Sequence, residues 1–307
     1  MPQALKTKTL VSVVGPTAIG KTALAIQLAQ HFGTEIISAD SRQFFREMAI
    51  GTAKPSAAEL AAAKHHFIDS HSVSQLFSTG DFEVDGLKKL DEIFRKHDVA
   101  IMVGGSGLYV NALINGLDDM PDIDLSIREK LNKQFEEEGL SVIQNQLAEL
   151  DPEYFAKVDQ QNPQRMIRGL EVYLSTGQKL SSMLSATKKE RPFSIIKIGL
   201  NTDRAVLYDR INRRVDQMMA DGLVEEVKLL IPFRKYNALN TVGYSELFDY
   251  LDGKIALEDA DAAIKQNTRR FAKRQLTWFR RDEEVNWFEP DQSKQIIDFV
   301  ENKITCK

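Results

Sequence analysis

The feature that most constrains this chain lies near its start. An apolar run, Thr9–Val14 (TLVSVV), stops at the octet Gly15-Pro16-Thr17-Ala18-Ile19-Gly20-Lys21-Thr22, and a helical pattern follows from about Lys21 to His31. The octet fits G-x-x-x-x-G-K-[ST]. Its glycines let the backbone curl so that N–H groups converge on phosphate oxygens, backed by the positive end of a helix. Lys21 adds a point charge, and Thr22 adds a hydroxyl suited to Mg²⁺. All eight residues are therefore candidate diphosphate- or nucleotide-binding positions, with Thr22 the candidate metal ligand. The pattern calls for a phosphate-bearing ligand but does not demand a nucleoside triphosphate.

Two further short apolar runs extend this strand-loop-helix unit. Glu35–Ala39 (EIISA) leads into Asp40, and Val99–Val103 (VAIMV) leads into Gly104-Gly105. Short apolar strands alternating with helical segments imply an α/β fold with a parallel sheet covered on both faces. Ligands then belong outside the carboxyl ends of the strands, where Gly15–Thr22, Asp40–Gln43 and Gly104–Tyr109 converge. From about Leu117 the character changes. Asp118–Asp124 is an acidic, turn-rich linker, and helical periodicity follows through Ser126–Glu149 and on to about Leu184, punctuated by Asp151-Pro152 and Asn162-Pro163. Phe193–Leu200 (FSIIKIGL) reads as a strand again. The expected organisation is a phosphate-loop α/β core of residues 1–116 and 190–307, with a helical C-terminal part, interrupted by an all-helical insert, 117–189.

Composition closes several other routes. The single cysteine, Cys306, excludes an internal disulfide and a Cys-rich zinc module, and the five histidines lack metal-ligand spacing. No apolar run has the length of a membrane span, and the N-terminus has no secretory h-region, so a cytoplasmic protein without membrane attachment is expected, and it is expected to be a monomer. A net charge of −4 does not by itself point to nucleic acid, yet Thr268–Arg281 (TRRFAKRQLTWFRR) carries six basic residues and no acidic one. A basic face on an acidic protein is the consequence. Arg269, Arg270, Lys273 and Arg274 are expected to meet RNA phosphates. Phe271 and Trp278, seven apart on one helical face, are expected in the core.

Asp40, at a strand end facing the phosphate loop, can accept a proton, hold Mg²⁺, or merely cap a helix as Ser41 could. In Gly104-Gly105-Ser106-Gly107 the glycines admit close backbone approach, and Ser106 supplies the side-chain hydroxyl. Arg214 stands among Arg210, Arg213, Asp209 and Asp216, a setting equally natural for a solvated helix face, and Arg165 and Arg168 share one helical side. Two rival functions are open on these residues. A small-molecule or nucleotide kinase would use the insert as a lid, but that class usually places a second acid at a strand end, where this chain has Gly104-Gly105. A non-catalytic RNA-binding protein would leave the trio Lys21, Thr22 and Asp40 without a purpose.

The motifs GPTAIGKT, ADSRQ, IGTAKP (Ile50–Pro55), HHFID (His65–Asp69), GGSGLY, RINRRVDQM (Arg210–Met218), VGYSE (Val242–Glu246) and TRRFAKRQLTWFRR occur in that order. Over roughly residues 10–281 the chain resembles the tRNA dimethylallyltransferases, also called tRNA isopentenyltransferases. The resemblance implies transfer of a dimethylallyl group from dimethylallyl diphosphate to the N6 amino group of the adenosine 3′-adjacent to the anticodon, with Mg²⁺ as cofactor. It implies Asp40 as general base, Lys21 and Arg214 on the diphosphate, and Ser106 where the family commonly has threonine. It implies tRNA contacts at Asp40, Ser41, Arg42 and Gln43, at Ser106 and Arg128, and at Gln164, Arg165, Met166, Ile167 and Arg168, through which the insert grips the anticodon stem-loop.

Overall fold

Six strands form one sheet: β1 (Thr9–Val14), β2 (Ile36–Ser38), β3 (His65–His66), β4 (Val99–Gly104), β5 (Ser194–Leu200) and β6 (Asn286–Phe288). Their order is β3-β2-β4-β1-β5-β6, and every pairing is parallel. The structure, a computed structural model, describes residues 8–121, 123–185 and 187–305. Cys306 and Asp122 of the acidic linker lie outside the described residues.

β1 is central, with Val13 level with Val103 of β4 and Ile198 of β5. All of β1 and β4 is buried, because helices cover both faces. Side chains alternate between two cores with the period of two that a strand imposes. Val11 and Val13 join Ile101, Val103 and the helix residues Leu24 and Leu28 on one side. Leu10 and Val14 join Ala100, Met102, Phe82 and Leu113 on the other. This is the α/β fold expected from the continuous apolar runs. β3 and β6, at the two sheet edges, carry only half-buried residues and gave no apolar run to find. The C-terminal part is helical around β6, with helices Arg204–Ala220, Leu257–Phe279 and Ser293–Thr305.

The chain divides into two compact units, Met1–Asn115 with Glu190–Lys307, and Gly116–Lys189. The described part of the second unit is helical, with its own core of Leu131, Ile143, Leu147, Met166, Ile167 and Leu170. Its proline pairs are helix starts. Asp151 and Asn162 accept hydrogen bonds from the backbone N–H groups of Tyr154 and Arg165, with Pro152 and Pro163 at the first helical positions. In the first unit, Arg191 clasps the point where the chain returns. Its Nη2 donates to the carbonyl of Ala112 and to Glu83, both at 2.8 Å, and its Nε donates to the carbonyl of Leu113 at 3.1 Å. Among the described residues no helix is long and apolar enough to cross a membrane.

Candidate active site

At the carboxyl ends of β1, β2 and β4 lies a cavity of about 290 Å³, bordered by the phosphate loop, Asp40, Gln43, the Thr52–Pro55 turn, Arg214 and Gln275. The loop reaches its helix through Gly20 at φ 107, a conformation that L side chains rarely adopt, and no side chain caps that helix. Its first-turn N–H groups are therefore available to an anion. Two other helices of this unit are closed by side chains at the same point, by Ser56 and Ser78.

Lys21 donates through Nζ to the carbonyl of Pro16 at 2.8 Å. Burial pulls its ammonium down to about 8 from an ordinary 10.5, against the pull of the nearby Asp40 carboxylate and helped by the repelling Arg214. Burial also lowers Arg214. Lys21 and Arg214 thus stand at one cavity, each near a carboxylate, Asp40 for Lys21 and Glu59 for Arg214. Burial still weakens both cations, so an anionic ligand there would stabilise them. The solvated-face reading fits Arg213, exposed and paired with Asp209, but not half-buried Arg214, which borders the cavity.

Asp40 borders the same cavity. Its Oδ1 accepts from the N–H of Arg42 at 3.0 Å, and Oδ2 takes no hydrogen bond among the described residues. Residues 41–44 form a turn, so no helix is there for Asp40 to cap. The turn is anchored by Ser106, whose Oγ accepts from the N–H of Ser41 at 3.0 Å and donates to its Oγ at 3.1 Å. In this structure the Ser106 hydroxyl thus holds the Asp40 turn. Gln43 donates to the carbonyls of Thr52 and Ala53, both at 3.1 Å. Arg42 donates to the carbonyl of Asn240 at 3.4 Å.

The separate motifs turn out to brace one another. Glu226 accepts from the N–H groups of Ala49, Ile50 and Gly51 at 3.0, 2.7 and 3.1 Å, and from the hydroxyl of Tyr244 at 2.7 Å. Glu226 therefore holds the start of the IGTAKP turn, which borders the cavity, and Tyr244 of VGYSE holds Glu226. Glu226 and Gln275 were missed, because an isolated Glu or Gln on a polar helix stretch gives no pattern to read.

The basic helix corrects one expectation. Phe271 and Trp278 are not core residues but 38% and 40% exposed. Seven-residue spacing does put them on a common face, yet the buried stripe of this helix runs through Ile264, Ala272, Gln275 and Phe279. Phe271 borders the cavity, and the Trp278 indole lies so close to Gly107 that a Cβ there would come within 2.3 Å of it. Arg269 donates to Asn212 at 2.6 Å and stands over the Tyr208 ring, whereas Arg270, Lys273 and Arg274 are exposed.

In the helical unit the expected contact segment divides. Gln164 and Arg165 are exposed, but Met166 and Ile167 are fully buried in that unit's core, so their side chains are not available to RNA. Arg128 and Arg168 share one partner. The fully buried carboxylate of Glu171 accepts from Arg128 Nε and Nη2 at 2.5 and 2.6 Å and from Arg168 Nη1 at 2.6 Å.

Comparison with known proteins gives concordant results. The model of a family described as IPP transferase matches residues 43–282. A tRNA dimethylallyltransferase of Christiangramia forsetii is 57% identical over 296 residues, 96% of this chain and 98% of that protein. Another, of Cytophaga hutchinsonii, is 50% identical over 97% of this chain and 98% of its own. Among solved structures, the full-length tRNA isopentenylpyrophosphate transferase from Bacillus halodurans has a TM-score of 0.72 at 39% identity, covering 97% of both chains. A eukaryotic dimethylallyltransferase acting on tRNA has a TM-score of 0.81 at 27% identity, covering 96% of this chain and 80% of that one.

Proposed function

The chain belongs to the IPP transferase family, and from that premise we propose that it transfers a dimethylallyl group from dimethylallyl diphosphate to the N6 amino group of the adenosine 3′-adjacent to the anticodon of tRNA. The observation that carries this reading is the meeting of Lys21, Arg214 and Asp40 at one cavity beside an uncapped helix N-terminus. In the reaction the adenine nitrogen attacks the allylic carbon, a C–N bond forms, and the C–O bond to the diphosphate breaks. Negative charge gathers on the departing oxygens, where Lys21, Arg214 and the uncapped N–H groups at the start of the Lys21–Phe32 helix stabilise it more in the transition state than before. The amine must lose a proton, and the open Oδ2 of Asp40 receives it.

Mg²⁺ fits the donor set. Thr22 borders the cavity and would offer its hydroxyl, which leaves Asp40 free as the base, and among the described residues no cluster of three acidic, His or Cys side chains forms a self-sufficient metal cage. Mg²⁺ commonly takes one or two protein oxygens and completes its shell with phosphate and water. Bound there with the donor, it would neutralise diphosphate charge.

For tRNA we propose phosphate contacts at exposed Arg270, Lys273 and Arg274, and at Arg128, Gln164, Arg165 and Arg168 of the helical unit. The target adenosine leaves its stack to react, which costs least in a single-stranded loop. The test is mass analysis of nucleosides from tRNA incubated with the purified protein, Mg²⁺ and dimethylallyl diphosphate. One added five-carbon unit on adenosine is expected, together with tighter calorimetric binding of dimethylallyl diphosphate than of ATP. Unmodified tRNA and a strong preference for ATP would overturn the reading.

A further inference from the structure

Gln275 is a nearly buried polar side chain, 7% exposed, on the long helix Leu257–Phe279, with a polar atom committed in each of two directions. Its Oε1 accepts from the N–H of Thr17 in the phosphate loop at 2.8 Å. Its Nε2 donates to the carbonyl of Gly105 in the second glycine loop at 2.9 Å. Because Thr17 offers only a donor and Gly105 only an acceptor, the orientation of the amide is determined by its partners. The fit is tight on the Gly105 side, where a Cβ would stand 2.3 Å from Nε2 and 3.6 Å from the Lys21 ammonium. One side chain thus spans the loop that receives the phosphates and the loop whose next residue, Ser106, holds the Asp40 turn.

We propose that Gln275 is a positioning residue for the transfer reaction: its amide fixes the spacing between the phosphate loop and the Gly105-Ser106 loop, and through them the distance from the diphosphate to Asp40. This rests on the diphosphate reading of the cavity. The N–H of Thr17, committed to Gln275, is withdrawn from the phosphates. The residue touches neither reacting atom. Its contribution comes from alignment, to which transfer reactions are steeply sensitive.

The variant Gln275→Met keeps length and apolar packing while removing both polar arms. Its single-turnover transfer rate at saturating tRNA and donor should fall by about 10²-fold, the cost of a displacement of roughly 1 Å at a reacting centre. The KM for the donor should rise much less, tRNA affinity should stay at the parent value, and amide exchange at Thr17 should quicken. Gln275→Glu keeps the acceptor for Thr17 but sets an oxygen against the Gly105 carbonyl. It should also lose rate, with a raised donor KM because its charge competes for Lys21. A lowered melting temperature with parental rates per folded molecule in both variants would make Gln275 a packing residue only and overturn the proposal. Should one variant fail to fold, the other carries the same decision. Lys21→Ala, measured alongside, isolates the underlying reading: if donor use is unaffected there, the diphosphate site is wrong, whatever Gln275 does.

Discussion

The two units hold their arginines and lysines in opposite ways. In the α/β unit, Lys21 and Arg214 are lowered by burial and border a small cavity that Asp40 and Glu59 also line. In the helical unit, Arg128 and Arg168 stay 40% and 35% exposed at the side chain, while the anion that orients them, Glu171, is the fully buried member. Burying the cation suits a small ligand that must be neutralised completely and released after reaction. Burying the anion leaves the guanidinium groups fixed in direction but open to a long polyanion. The same residue types thus stand in two settings, and what differs is which partner of the pair is kept from water.

The comparison can be broken most decisively in the cavity. Asp40→Asn keeps the side chain's size and its bond to the Arg42 N–H but removes the proton acceptor. A drop of about 10²–10⁴ in single-turnover rate is expected from protein that remains folded, with at most a modest fall in melting temperature from the lost attraction to Lys21. Transfer at the parental rate would remove Asp40 as the base.

Next in size is Glu171→Gln. Averaged over the surface, deleting an acid should favour tRNA binding. If Glu171 orients the two arginines, tRNA affinity should instead fall by about tenfold or more, in keeping with roughly 1.5–3 kcal/mol for a hydrogen bond to a charged group. Filter binding at fixed salt distinguishes the two outcomes, and a gain in affinity would end the contrast between the units.

Lys21 adds a pH signature. Its ammonium titrates near 8 in the folded protein against 10.5 when unfolded, so the unfolded chain holds more protons between those values. Stability should rise with pH across that window, and the penalty of the buried charge is fully present below about 8. Melting curves of the parent and of Lys21→Met should therefore converge as pH rises through the window. A constant offset would show that the ammonium is not buried. Donor binding should follow the reverse trend and weaken above about 8, where the free site has lost its charge.

The smallest effects belong to exposed Arg270 and Lys273. Neutralising either should reduce the salt slope of tRNA binding by about one phosphate contact, and leave the donor KM alone. Unchanged slopes would return these residues to an ordinary solvated face.

The sheet and its loops were legible because backbone requirements write themselves into residue type. Gly15 and Gly20, the apolar runs before the loops, and the acid after β2 each answer a local constraint. Trp278 and Phe271 show where that legibility stops. Spacing tells which residues share a helix face, but the direction of that face is decided by what packs on it, here the stripe of Ala272, Gln275 and Phe279. The same limit hid β3 and β6, too short to show a period, and the resemblance that gave Gln164–Arg168 as one contact segment did not separate Met166 and Ile167, whose side chains fill the helical core. Gln275 and Glu226 act through partners more than 150 positions away, a separation that no local pattern encodes.

The Arg191 clasp has a consequence for how the molecule is assembled. The returning chain is fastened to the carbonyls of Ala112 and Leu113, almost at the place where it departed. Departure and return are neighbours, so the intervening stretch hangs on the core as a closed loop. Lengthening such a loop adds little closure entropy, since the cost grows only with the logarithm of its length. β5 can therefore dock beside β1 whether or not the stretch between them has folded. Insertions, deletions or outright replacement there should leave the sheet intact, which gives the lineage a part it can vary without rebuilding the catalytic floor.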